Sequence, residues 1–213
     1  AATWTAPNLA EGWLGVDLEL NPNIKKKKGL QPQRDLIATA RSHAFGNKPF
    51  IVLPESALGY WTPTVERFWA KALAGTDVTV IAGAVLVDAR GYDNLLVSVS
   101  SKGGRILYRE RMPVPGAMWQ PWRYWWGETQ GARTTFFANP VVHLDGRRLG
   151  PLICYEQLIV WPVLQSMLHD PDIIVAVGNG WWTSGTSIIA IQRANAVAWA
   201  RLFNKPLVIS FNI

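Results

Sequence analysis

Short apolar runs rich in β-branched residues alternate along the chain with stretches of helical periodicity. Residues 50–53 and 173–177 are typical of buried strands, whereas residues 33–45 and 187–203 space their apolar side chains as a helix does. This alternation is the pattern of an α/β layered fold. Because 213 residues are enough for one core and no linker-like segment interrupts the pattern, the sequence predicts a single α/β domain over residues 1–213.

Further segments complete the pattern. Residues 112–133 hold four of the twelve tryptophans together with three prolines and three glycines, too irregular a composition for a helix or strand. A long excursion of this kind in a compact domain usually has a functional role.

The other predicted strands are 13–20, 78–87, 93–100, 105–111, 150–153 and 206–211, with 134–137 and 141–144 as a hairpin-like pair. The other predicted helices are 64–73 and 156–168.

Two polar side chains stand where predicted apolar strands end. Cys154 lies between a strand and the start of a helix, which is the geometry of a nucleophile elbow, although a single cysteine is also often an inert core residue. Glu55 follows Leu53 and Pro54 at the end of another strand, where it fits either a general base of raised pKa or a turn-capping acid. Ligands of open α/β sheets bind at the carboxyl ends of strands, so the two together indicate a site.

The motifs around these residues resemble a known family. Leu-Pro-Glu at 53–55 and Gly-Pro-Leu-Ile-Cys-Tyr-Glu at 150–156 are similar to the glutamate and cysteine motifs of the nitrilase, or carbon-nitrogen hydrolase, superfamily. The Cys-Tyr-Glu form resembles its apolipoprotein N-acyltransferase branch, as do Asn-Gly-Trp-Trp at 179–182 and the helix that contains Gln192. Within that branch the sequence most resembles the conjugal-transfer TraB group.

The resemblance implies a four-layer α-β-β-α sandwich and a Glu-Lys-Cys triad, without a cofactor. Cys154 would attack an acyl or amide substrate to form a thioester, Glu55 would move the proton, and a lysine would stabilise the oxyanion. The acyl donor of such a branch can be a phospholipid. Four further residues would line the substrate pocket, although Glu156 also suits the start of a helix and the tryptophans also suit a core; the four are Tyr155, Glu156, Trp181 and Trp182.

The lysine position departs from the family pattern. Aligned without gaps from Tyr108, the lysine slot holds Glu110 and the slot of an additional glutamate holds Met118. An anion there opposes the negative charge of the transition state, and loss of one oxyanion donor costs about 3 to 4 kcal/mol. Either Arg109 or Arg111 supplies the cation, or the domain is a non-catalytic relative with a binding or assembly role.

The tryptophan-rich segment has two interpretations. Trp119, Trp122, Trp125 and Trp126 form either a flap packed on the domain or a membrane-facing loop, since tryptophan and arginine both suit lipid headgroups. The formal net charge is +6, but four of the positive charges are the lysines at 25–28. One such run is a poor signature of nucleic-acid binding, so we expect no direct contact with nucleic acid.

The remaining features indicate context. The histidines, His43, His143 and His169, have no metal-ligand spacing, so no metal site is predicted. The chain starts without methionine, which predicts a fragment of a longer, membrane-attached protein. The resemblance implies attachment to a bacterial inner membrane with the site on the periplasmic side, and it is compatible with a homo-oligomer.

Overall fold

A computed structural model of the protein describes residues 7–19, 31–43, 49–127, 131–180 and 186–213. These described residues form two β-sheets and four α-helices. The strands are β1 (Trp13–Gly15), β2 (Phe50–Val52), β3 (Thr79–Asp88), β4 (Gly91–Ser100), β5 (Gly103–Arg109), β6 (Val142–Leu144), β7 (Arg147–Ile153), β8 (Ile173–Asn179) and β9 (Leu207–Asn212), and the helices are α1 (Gln31–His43), α2 (Pro63–Ala72), α3 (Val160–Met167) and α4 (Ile188–Leu202).

Each sheet combines parallel and antiparallel pairs. The first has the order β1-β2-β3-β4-β5, in which β1, β2 and β3 are parallel and the remaining pairs are antiparallel. The second has the order β6-β7-β8-β9, in which β7, β8 and β9 are parallel. The parallel strands within each sheet end at the same edge of that sheet. The loop that follows β2 lies at this edge of the first sheet, and the loop that follows β7 lies at this edge of the second.

Alternation of side chains along the strands divides the core into layers. Ile51 packs towards α1 and α2, whereas the next residue, Val52, packs between the two sheets. In the second sheet Ile153 lies between the sheets, while Leu152 packs against α3 and α4. Successive strand residues point to opposite faces, so each sheet buries both faces. The result is the four-layer α-β-β-α sandwich, which confirms the predicted fold class.

The predicted helix at 156–168 is two elements in the structure. A 3₁₀ turn spans Cys154–Leu158, Ile159 is extended with φ −117° and ψ 143°, and α3 begins only at Val160. Pro162 explains the break, because its ring clashes with the carbonyl four residues earlier in a continuous helix and it has no N–H to donate. The turn therefore holds Cys154 apart from α3.

The predicted pairing of 134–137 with 141–144 is wrong. Residues 134–137 form no strand, and β6 pairs instead with β7. The connection is Asp145-Gly146, whose φ values of 50° and 75° are both positive. A two-residue turn with this backbone matches the twist of a hairpin, which is why the pair closes there. The first strand is also shorter than the predicted 13–20, since β1 ends at Gly15.

No α-helix in the described part of the chain has the length and apolar character needed to cross a membrane.

Candidate active site

Cys154 occupies a sharp turn at the end of the buried strand β7. Its φ is 46°, in the left-handed region that non-glycine residues rarely adopt. Such conformations persist where the surrounding structure enforces them, often at active sites. The residue is buried, with 6% of its surface exposed. The backbone therefore has the form of a nucleophile elbow at the position that the sequence indicated.

Glu55 is held beside β3 by its neighbours in the chain. The N–H of Gly83 donates to the carbonyl of Pro54 at 3.0 Å, and the N–H of Leu58 donates to the carbonyl of Gly83 at 3.0 Å. A Cβ atom added to Gly83 would lie 2.4 Å from the Cα of Glu55. The glutamate backbone can approach β3 this closely only because residue 83 has no side chain. Sequence reasoning missed this glycine.

The Glu55 carboxyl faces Cys154. Burial raises its pKa from 4.5 to about 7, against the lowering effects of the Cys154 thiol and the Asn179 backbone, while the charge of Glu156 adds to the rise. Since Asn179 ends β8, the acid lies where the ends of β2, β7 and β8 converge. A carboxyl whose pKa is near neutrality is suited to accept and return a proton.

Glu110 lies directly after β5 and forms a pair with Glu55. The Asn94 side-chain Nδ2 donates to Glu110 Oε2 at 2.8 Å and lies 3.4 Å from Glu55 Oε1. We call Glu55 and Glu110 the carboxyl pair. Burial raises the pKa of Glu110 well above its usual range, and the charges of Glu156 and Glu55 raise it further, against the Asn94 hydrogen bond. The structure thus places the residue of the lysine slot in the same site as Glu55.

The carboxyl pair also influences the protonation state of the Cys154 thiol. Burial raises the pKa of Cys154 well above its usual value, and the charges of Glu55 and Glu110 raise it further. Gln192 of α4 opposes this by donating from Nε2 to Sγ at 3.4 Å. The cysteine therefore rests as a neutral thiol, so its attack on a substrate requires a base that removes the proton during the step.

Glu156 is fully buried and has hydrogen-bond partners on both oxygens. Its Oε2 accepts from the Ile153 N–H at 2.8 Å, which caps the turn that carries Cys154. Its Oε1 accepts from the Arg111 N–H at 2.7 Å and from the Tyr108 hydroxyl at 2.7 Å. The carboxylate therefore ties the cysteine turn to the end of β5, beyond the simple helix start that the sequence suggested.

The Arg111 guanidinium belongs to the same network and is fully buried. Its Nε lies 3.8 Å from Glu156 Oε1. Its nitrogens donate to the Tyr108 hydroxyl at 2.8 Å, to Gln165 Oε1 at 2.9 Å and to Ser166 Oγ at 2.9 Å. We call these five residues the Glu156 network. Because every side-chain nitrogen of Arg111 has a hydrogen-bond partner in this network, we do not assign Arg111 the role of stabilising the oxyanion.

Arg109, the other arginine considered for that role, is the last residue of β5. It forms an ion pair with Asp93 of β4, and Arg133 pairs with the same aspartate at 2.7 Å. The positive charge of Arg109 is thus paired with Asp93 on the neighbouring strand.

Three of the four tryptophans in the tryptophan-rich segment are exposed. Trp125 and Trp126 are 84% and 71% exposed, and Trp122 is 40% exposed. They lie in a 3₁₀ turn over Pro121–Trp126. Trp119 is half-buried and packs edge-to-face on Phe136 at 5.2 Å. Only Trp119 therefore resembles a packed flap.

Of the other predicted pocket residues, Tyr155 is half-buried beside Cys154. Trp181, Trp182 and the lysines at 25–28 lie outside the described residues. Within the described ranges, no group of three or more His, Cys, Asp or Glu side chains is arranged to hold a metal ion.

Sequence reasoning also missed two polar residues of the site. Asn94 lies in the buried strand β4, where an amide among apolar residues could have signalled a paired acid. Gln192 was noted only as part of a family segment, yet it is the side chain that contacts the thiol. Both contacts join residues far apart in the chain, which local patterns do not reveal.

Comparison with known proteins identifies relatives by sequence. Two relatives match all of this chain over 212 residues: a probable conjugal transfer protein TraB of Sinorhizobium fredii, 64% identical, and a conjugal transfer protein TraB of Agrobacterium fabrum, 60% identical. The chain spans 55% and 50% of their lengths. It therefore corresponds to about half of each relative.

Solved structures support the fold. A carbon-nitrogen hydrolase from Helicobacter pylori G27 has a TM-score of 0.60 at 17% identity, covering 93% of this chain and 72% of that one. A glutamate-to-glutamine mutant of the amidase from Nesterenkonia sp. AN1 has a TM-score of 0.60 at 15% identity, covering 98% and 80%. The carbon-nitrogen hydrolase family model matches residues 3–201. The chain belongs to the carbon-nitrogen hydrolase family.

Proposed function

We propose that this chain is a cysteine-dependent acyl-transfer domain that acts through a thioester on Cys154. The observation that carries the proposal is the meeting of a left-handed cysteine turn with a buried acid whose pKa is about 7. The same two residue types carry the motifs of the family. The reaction is hydrolysis of a carbon-nitrogen bond or, following the N-acyltransferase resemblance, transfer of an acyl group to an amine.

The proton balance of this chemistry uses Glu55. As Cys154 Sγ bonds to the carbonyl carbon, the thiol proton passes to the Glu55 carboxylate and the carbonyl π electrons move to oxygen. When the carbonyl re-forms, the bond to the leaving group breaks and Glu55 returns the proton to that group. Water or an amine then attacks the thioester, giving its proton to Glu55, and the sulfur leaves and is reprotonated. A base with a pKa near the operating pH serves both directions.

Intact mass measurement tests the proposal. In the Nesterenkonia amidase mutant, the acetamide moiety of fluoroacetamide is covalently added at the active site cysteine. Because an acetamide moiety added at a cysteine reports alkylation of the sulfur and not formation of a thioester, we choose an activated acyl ester as the probe and a phospholipid as a natural acyl donor. We expect one adduct per chain, absent in Cys154→Ala and strongly reduced in Glu55→Gln. Absence of any adduct in the unaltered chain would contradict the proposal.

A second candidate is a non-catalytic role in a conjugation apparatus. Glu110 in the lysine slot favours it, as do the relatives named as conjugal transfer proteins. Plasmid transfer by the full-length protein that carries Cys154→Ala distinguishes the two. Transfer at the normal frequency favours the assembly role, whereas a loss with normal protein levels favours the thioester.

We further propose that the exposed tryptophans face the periplasmic surface of a bacterial inner membrane. Trp122, Trp125 and Trp126 present large apolar rings to solvent beside Arg123, a combination suited to lipid headgroups. Binding to phospholipid vesicles tests this, and we expect the triple substitution to Ser to abolish it. Unchanged binding by the triple variant would exclude these side chains as the contact.

A further inference from the structure

The carboxyl pair lacks the donors that two charged carboxylates require. Glu55 Oε2 and Glu110 Oε1 are buried and have no hydrogen-bond partner among the described residues. One amide nitrogen, Asn94 Nδ2, serves the other two oxygens, and the Cys154 thiol and the Asn179 backbone, which lower the pKa of Glu55, do not act on Glu110. Two buried carboxyls that share a single amide donor cannot both ionise without a large penalty, and a proton held by the pair at neutral pH removes it.

The surroundings favour Glu110 as the holder of this proton. The titratable groups that face it are Glu55 from the loop after β2, Cys154 and Glu156 from the 3₁₀ turn, and Tyr92 of β4. All of these are acids, and the guanidinium of Arg111 is bound within the Glu156 network. Glu110 is also the less exposed member of the pair, at 2% against 7% for Glu55.

We propose that Glu110 is a neutral carboxylic acid whose O–H donates a hydrogen bond to the carbonyl oxygen of the acyl substrate, in the slot where the family resemblance places a lysine. This inference rests on the proposed function. Glu110 keeps its proton through both steps, because Glu55 takes and returns the thiol proton. A neutral acid in an apolar site stabilises an oxyanion by hydrogen bonding instead of by charge.

The first test reads the proton without requiring turnover. Infrared spectra of the chain labelled with ¹³C in its glutamate carboxyls, recorded at about pH 8.5, above the pKa of about 7 of Glu55, should show a protonated-carboxyl band that persists in Glu55→Gln and is lost in Glu110→Gln. A spectrum without this band overturns the inference, even if Cys154 forms an adduct. A band with no adduct on Cys154 instead overturns the proposed function and the donor role with it.

The second test separates a donor from a space-filling side chain. We compare the rate of Cys154 acylation by an activated ester in Glu110→Gln, whose amide can donate, and in Glu110→Leu, which cannot. We expect the leucine variant to acylate at least about 100-fold more slowly than the glutamine variant, the loss typical of one oxyanion donor. Urea denaturation verifies that both variants are folded. Equal rates in two folded variants overturn the donor role.

Discussion

Glu156 and Glu110 are both buried carboxyls near Cys154, yet their surroundings differ. Glu156 accepts hydrogen bonds on both oxygens and lies 3.8 Å from the Arg111 guanidinium. Glu110 has one donor, Asn94, and an unpartnered oxygen. A buried polar group without a partner is unfavourable for stability and needs an explanation. The contrast indicates that Glu156 holds the site together, whereas the carboxyl pair is available for chemistry.

The largest expected effect tests the structural side of this contrast. Glu156→Ala removes the acceptor of the Ile153 and Arg111 backbone N–H groups and leaves the Arg111 charge buried without its anion. We expect the free energy of unfolding to fall by about 3 to 5 kcal/mol, the range for breaking a buried ion pair. Urea denaturation followed by circular dichroism measures it.

A surface pair provides the matched control. Asp170 pairs with Lys205 at 2.5 Å, but its side chain is 68% exposed. Because exposed ion pairs contribute little, Asp170→Asn should change the free energy of unfolding by no more than about 1 kcal/mol. Similar losses in the two variants would refute the structural role assigned to Glu156.

The second prediction concerns pH. The pKa of Glu55 is raised from 4.5 to about 7 in the folded protein. Between these values the folded state binds more protons than the unfolded chain, so the free energy of unfolding decreases as pH rises. At about 1.4 kcal/mol per pH unit, Glu55 alone accounts for roughly 3 kcal/mol, and the raised pKa of Glu110 acts in the same direction.

Urea denaturation at intervals from pH 5 to 8 measures this slope. Glu55→Gln should make the slope smaller but not abolish it, because the amide does not titrate whereas Glu110 and Glu156, whose pKa values are also raised, still do. Asp88, Asp170 and Asp172 have lowered pKa values, so their contribution is lost only as pH falls through the acidic range below this window. A stability that stays level or increases from pH 5 to 8 would show that the carboxyl pair is ionised in the folded protein.

The third prediction displaces Glu55 while leaving Glu156 untouched. In Gly83→Ala the new methyl group would lie 2.4 Å from Glu55 Cα and 2.5 Å from Ser56 N, so the backbone must shift. We expect a stability loss of about 1 to 3 kcal/mol, typical of overpacking, together with loss of acylation at Cys154. Normal acylation in this variant would show that the close approach to β3 does not position the base. Gly59→Ala, elsewhere in this loop, serves as the control. No atom lies within 4 Å of the Cβ added there, although the φ of 63° strains the substituted residue.

The smallest expected effect concerns the thiol. Gln192→Leu removes the donor 3.4 Å from Sγ, which raises the pKa of Cys154 further. One hydrogen bond is equivalent to about a 2- to 10-fold change in an equilibrium constant. Alkylation of Cys154 by iodoacetamide near neutral pH should therefore slow by about that factor. Ile191→Leu, at an exposed neighbouring position of α4, serves as the control. Unchanged alkylation in Gln192→Leu would mean that the amide does not act on the sulfur.

Much of the fold follows from local pattern. The periodicity located the strands at Phe50–Val52 and Ile173–Asn179 and helix α4 to within a few residues. The errors arose where one residue changes the local geometry. Pro162 divides the predicted helix at 156–168, and the Asp145-Gly146 turn redirects the pairing of β6. Pro162 and the Asp145-Gly146 turn can both be read from the sequence, but a prediction from hydrophobic periodicity alone does not take them into account.

The sequence by itself also pointed to Cys154 and Glu55 as candidates, because both follow strand ends that can be recognised locally, whereas Glu110 was singled out only by the family resemblance. Their charge states were decided by the tertiary structure. The proton on the carboxyl pair depends on burial and on Asn94, and the engagement of Arg111 depends on α3. Desolvation and hydrogen bonds between distant segments arise only when the two sheets pack, so no local pattern records them.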